Sequence, residues 1–216
     1  IILDTAGPST GSISWPTPTN NPTPTLTLLS TDATSGMSQM KFSCNNSAWS
    51  TPVAYATGYS AFNINTGAGC STGDGAKTIY VQFSDLAGNW SSSYSQAGTL
   101  DTAAPGAPTL TCTIYTDNVW VNSTSATTCT ITDTATPSPK TAVAYSTNGG
   151  AGWTDNANAL SFGFTPVEGT TSVIMRISDT GGGPTVSNTY VIKRDSSVPT
   201  AGTPTIYVGT SYNNQY

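Results

Sequence analysis

The chain has 216 residues, only 8% of them charged, with no histidine, six Lys and Arg, and a formal net charge of −5. Six scattered cations cannot build the phosphate-tracking surface that nucleic-acid binding needs. The missing histidine removes Ser-His-Asp triads, Cys-His pairs and most zinc sites, and no apolar run is long enough to span a membrane as a helix. The 40 Thr and 27 Ser make hydroxyl side chains nearly a third of the chain. Threonine packs well on a pleated surface, so the composition leans toward strands.

In chain order, residues 25–28, 40–42, 59–64 and 79–83 alternate polar and apolar with the period of a half-buried strand. The pattern returns at 126–131, 143–145, 160–164 and 173–177. Gly, Asn, Asp and Pro fill the gaps and supply turns. No stretch carries helical periodicity with caps. The expectation is an all-β chain.

An internal repeat organises these strands. Leu3-Asp4-Thr5-Ala6-Gly7-Pro8 returns as Leu100-Asp101-Thr102-Ala103-Ala104-Pro105 and, degraded, as Arg194-Asp195-Ser196-Ser197-Val198-Pro199, with Asp spacings of 97 and 94 residues. Trp49 corresponds to Trp153, Asp74-Gly75 to Glu168-Gly169, and Tyr80-Val81-Gln82-Phe83-Ser84-Asp85 to Ile174-Met175-Arg176-Ile177-Ser178-Asp179. Ordered matches at a nearly constant offset indicate tandem domains. About seven strands in each roughly 95-residue repeat fit immunoglobulin-like Greek-key β-sandwiches. Residues 1–5 read as the last strand of a preceding repeat. Domain 1 spans 6–102, domain 2 spans 103–196, and 197–216 open a following repeat or form a donated strand. Prolines 105, 108 and 199 fix φ and bias the residue before them to extended geometry, which predicts stiff connectors at 101–108 and 195–199.

The segment Ser84-Asp85-Leu86-Ala87-Gly88-Asn89-Trp90-Ser91, with Leu100-Asp101-Thr102-Ala103-Ala104-Pro105 after it, resembles bacterial immunoglobulin-like tandem repeats of large secreted or surface-anchored proteins. Repeat 2 departs from the pattern: Thr180-Gly181-Gly182-Gly183-Pro184 replaces the Ala-Gly-Asn turn. The resemblance implies a spacer, stalk, fibre or adhesin role in an extracellular or cell-surface setting. It implies no catalytic residue and no cofactor.

The four cysteines, Cys44, Cys70, Cys112 and Cys129, form no CxxC pair and fall two to each repeat. Structural disulfides in an oxidising compartment are expected, Cys44 with Cys70 and Cys112 with Cys129. Acidic residues near the repeat junctions are candidates for calcium, which takes oxygen ligands: Asp85, Asn89 and Asp101 in the first copy, Asp179 and Asp195 in the second. The competing reading is that these side chains cap turn amides. Asp179-Thr180-Gly181 spells the aspartic-protease tripeptide, but its place in a repeated hairpin turn accounts for it, and no enzyme activity is expected. Trp15, Trp49, Trp90, Trp120 and Trp153 could offer a sugar-stacking platform, with Trp90 and Trp120 the candidates lacking a repeat counterpart. The expected partners are neighbouring repeats or subunits of the same fibre, with a surface glycan or protein receptor as a further partner. The alternatives to a structural repeat module are a carbohydrate-binding module of a secreted protein and a filament subunit assembled by strand donation.

Overall fold

The structure is a computed structural model and describes residues 3–202. Seven strands precede the first connector: β1 (Thr10–Ser14), β2 (Leu26–Thr31), β3 (Met37–Ser43), β4 (Val53–Ala54), β5 (Gly58–Tyr59), β6 (Gly75–Asp85) and β7 (Tyr94–Leu100). Nine follow it: β8 (Leu110–Cys112), β9 (Trp120–Val121), β10 (Thr127–Ile131), β11 (Ala142–Ser146), β12 (Thr154–Asp155), β13 (Ser161–Phe164), β14 (Gly169–Ser178), β15 (Thr185–Val186) and β16 (Tyr190–Arg194). There is no helix among the described residues.

In the first unit β1-β2-β5 form one sheet and β4-β3-β6-β7 the other. Strand β2 lies beside β5 rather than β3, so the chain crosses between sheets, as a Greek key requires. The alternation in β2 points Leu26 and Leu28 inward, where they meet Met40, Phe42, Ile79, Val81 and Phe83 of the second sheet. The second unit repeats the plan with β13-β10-β8 facing β12-β11-β14-β16-β9, and β15 pairs with β14. Its core joins Leu110, Cys129, Ile131 and Phe162 to Val143, Val173, Met175, Ile177 and Ile192. The two cores are separate. The chain is all-β, a tandem pair of immunoglobulin-like sandwiches.

One disulfide joins Cys44, just past β3, to Cys70, and the other joins Cys112 to Cys129, which face each other in the β8–β10 ladder. One expected strand differs. The pattern at 59–64 stops being strand at Tyr59: Asn63 Oδ1 accepts the amides of Asn65 and Thr66 at 2.8 and 3.0 Å, closing a turn there. Phe62 and Ile64 are still buried, so the alternation records burial without a ladder. Residues 3–5 and 197–202 lie outside any strand; the rest of the expected preceding strand, 1–2, and of the expected opening strand, 203–216, falls outside the described residues.

Candidate functional site

The connector after β7 is held from both sides. On the first unit, Asp101 N donates to Thr19 O at 2.9 Å, and Asp74 accepts both the amide of Thr102, at 2.9 Å, and its hydroxyl, at 2.8 Å. On the second unit, Asp101 Oδ2 accepts from the Ser138 hydroxyl and amide, and the Thr185 hydroxyl donates to Pro105 O at 2.8 Å. The Ser138 hydroxyl in turn accepts the amide of Thr180 at 3.2 Å, tying the connector to the turn after β14. The grip recurs one repeat on, where Glu168 accepts the amide and hydroxyl of Ser196, 28 residues away, the same separation as Asp74 to Thr102.

Two carboxyls converge at this joint. Asp101 is fully buried and Asp179 is 5% exposed. Asp101 Oδ1 and Asp179 Oδ2 are buried with no hydrogen-bond partner among the described residues. Burial raises the pKa of the Asp179 carboxyl above the ordinary carboxylate value, and the nearby Asp101 charge raises it further. Two buried carboxylates side by side need a proton or a cation to compensate them.

The start of the first unit carries the corresponding cluster. Asp4, Asp32 and Asp85 bring carboxylate oxygens within 4.8 Å of one another. Asp85 is 1% exposed, and its two oxygens accept the backbone and side-chain N–H groups of Asn89, each at 2.8 Å. Asn89 Nδ2 also reaches Asp4 O at 3.3 Å, and Asp4 Oδ2 is buried without a partner. Asp32 Oδ1 accepts the amides of Gly36, Ser35 and Thr34, led by Gly36, and these bonds lower its pKa. The oxygen-only ligand set suits a hard cation such as calcium, which takes six to eight oxygens, and does not suit zinc or copper.

The grouping differs from the sequence expectation in one respect. Asp85 and Asn89 are not joined by Asp101; each connector Asp reaches into the turn of the repeat that follows it, so Asp4 meets Asp85 and Asp101 meets Asp179. Asp195 stands apart, exposed, capping the amide and hydroxyl of Ser197, which lowers its pKa. Asp4, Asp32 and Ser138 were missed as site residues. The 97-residue register linking Asp4 to Asp101 carried the signal for the first of them. The Asp-Thr-Gly turn does pair Asp179 with a second carboxyl, Asp101, and both are buried.

The tryptophans have separate roles. Trp15 cannot be a platform, because it is 5% exposed in the first core. Lys41 Nζ stands 4.2 Å from the Trp90 ring and 5.2 Å from Trp49. Arg176 lies 4.3 Å over Trp153, and the exposed Trp120 has Lys193 at 5.9 Å.

No model of a known protein family matches the chain, and no curated protein does. Among solved structures it is similar to fibronectin(III)-like modules of Clostridium thermocellum CbhA, at 14% identity and a TM-score of 0.42, over 90% of this chain and 99% of that one. It is also similar to a two-domain fibronectin type III segment of chicken tenascin, at 14% identity and a TM-score of 0.33, over 87% and 99%. A third is a tetra-tandem repeat from the extending region of a large adhesion protein, at 19% identity and a TM-score of 0.32, over 87% and 50%.

Proposed function

We propose that this chain is a non-catalytic structural repeat module, a spacer in the stalk, fibre or adhesin of a bacterial extracellular or surface protein. The observation that carries the reading is the doubly held connector: Asp74 fixes Thr102 to one sandwich while Ser138 and Thr185 fix Asp101 and Pro105 to the next. A joint gripped by both neighbours transmits orientation along an array. The recurrence of the grip as Glu168 with Ser196 supports the same rule at the next joint. Two disulfides in 216 residues agree with an oxidising, extracellular compartment.

A divalent cation completes this reading. Calcium at Asp4, Asp32 and Asp85, and at Asp101 and Asp179, would neutralise the converging carboxylates and engage the unpartnered oxygens. Small-angle scattering and thermal unfolding with calcium and with a chelator test it. An extended particle that calcium stiffens and stabilises, with the response at this joint lost in Asp101→Asn, is the expected result. A compact particle would refute the spacer reading, and an unchanged unfolding curve would refute the cation.

A further inference from the structure

The outer face of β11, β12 and β14 carries a row that the first unit lacks. Asp155 pairs with Ala144, Ala144 with Arg176, and Arg176 with Val186. Residues directly opposite in an antiparallel ladder share a face, and neighbouring strands are about 4.8 Å apart. Asp155 and Arg176 therefore flank the small Ala144 with roughly 10 Å between their backbones. They do not ion-pair: the ion pairs among the described residues are Lys140 with Asp133 and Arg194 with Glu168. The result is an open groove of about 650 Å³ lined by Trp153, Asp155, Asn158, Arg176 and Ala144. That volume falls in the range of roughly 300–1,000 Å³ usual for small-molecule sites.

The first unit explains why the groove exists. At the same register place, Lys41 pairs with Gln82, and Lys41 covers Trp49. In the second unit the cation has moved to the partner strand as Arg176, which still covers the equivalent Trp153, and Ala144 leaves the space of the lysine chain empty. The Trp–cation pair is thus common to both repeats, while the Asp155 and Arg176 charges set across an alanine belong to the second.

We propose that this groove is a binding site for a neutral saccharide. A carboxylate only accepts hydrogen bonds and a guanidinium only donates them. An anion would meet Asp155 and a cation would meet Arg176, whereas vicinal hydroxyls of a pyranose satisfy both at once. Asn158 adds a group that does either, and Trp153, with Arg176 held over its ring, forms the apolar side of the groove.

The test uses the full chain in native affinity gels containing soluble glucan, mannan, xylan or galactan, with polygalacturonate as the anionic comparison, followed by titration on tryptophan fluorescence. Retardation by at least one neutral polymer, insensitive to salt, is expected. Arg176→Gln weakens it about tenfold, the effect of losing one hydrogen bond to a charged group. Ala144→Lys with Arg176→Gln installs the pair that the first unit already folds with, so the sandwich is retained, the groove is filled and binding is lost; should the double variant not fold, Arg176→Gln decides alone. Retention by none of the neutral polymers, stronger retention by polygalacturonate, or unchanged binding in a folded variant overturns the proposal.

Discussion

Gly181→Ala isolates the contribution of the joint. A Cβ there would stand 1.9 Å from Ala103 O, 2.6 Å from the Ala103 carbonyl carbon and 2.7 Å from Asp101 Oδ1. Two of the three are backbone atoms, so no side-chain rotation relieves the clash, and the connector must move by more than about 1 Å to restore van der Waals contact. Gly181 is not among the glycines with positive φ, so alanine meets no backbone strain of its own. The displacement pulls Asp101 off the Ser138 hydroxyl and amide and Pro105 O off the Thr185 hydroxyl. Hydrogen bonds to a charged group contribute about 1.5–3 kcal/mol and neutral ones about 0.5–1.5. Losing the two bonds to the carboxylate and the one neutral bond removes about 3.5–7.5 kcal/mol, enough to undock a joint whose sandwiches keep their own cores. Residual dipolar couplings measure it: the wild type should align as one body and Gly181→Ala as two, with each sandwich's spectrum preserved. Gly106→Ala, whose Cβ meets nothing within 4 Å, is the control. Alignment of Gly181→Ala indistinguishable from that control would refute the grip.

Removing both Cys112 and Cys129 as alanines frees a loop of 17 residues and should destabilise the second sandwich by about 3 kcal/mol, visible as an earlier denaturant midpoint for that unit alone. Phe83→Ala, at a fully buried ring, should cost about 3–5 kcal/mol and lower the midpoint of the first unit. The Ser196 hydroxyl and amide hold Glu168 below its ordinary pKa, with Arg194 contributing. Its stabilisation is therefore complete above the unfolded value of about 4.3 and is lost as pH falls through the lower folded value, so Glu168→Gln should flatten that part of the acid unfolding profile. Asp179 has the opposite sign: its folded pKa is raised, so without a cation Asp179→Asn should unfold at higher temperature than the wild type at neutral pH, with the gap closing in acid.

Most of the fold was legible because burial on one face of a strand imposes alternation on the sequence. Leu26 and Leu28 in β2, and Ile79, Val81 and Phe83 in β6, announce their strands this way. Strand β7 does not: of its inward positions Tyr94, Gln96 and Gly98 are half-buried and Leu100 alone is fully buried, and its order comes from the ladder with β6. The two-residue strands β4, β5, β9, β12 and β15 are too short to carry a period. The joint was legible only as a repeated Asp. That its side chain crosses to the following sandwich, and that Ser138 receives it, depends on a loop between β10 and β11 that has no sequence period. The groove was harder still, because its signal is the smallness of Ala144 set against Lys41, a comparison that needs the β3–β6 and β11–β14 registers.

The two repeats separate what an array must keep from what each unit is free to vary. The connector Asp, the acid that clamps the following hydroxyl residue, and the buried Asp at the end of the long central strand, Asp85 or Asp179, recur in both. All of them lie at the ends of the sandwiches, where a change in one unit displaces its neighbour. The outer-face groove is lined, among the described residues, by the second unit alone. There, Lys41 and Gln82 give way to Ala144 and Arg176 with the Trp–cation contact conserved, so the surface can be recut without cost to either core. In the second sandwich Asp155 and Arg176 flank Ala144 on this face, away from the connector contacts of Asp101 and Pro105.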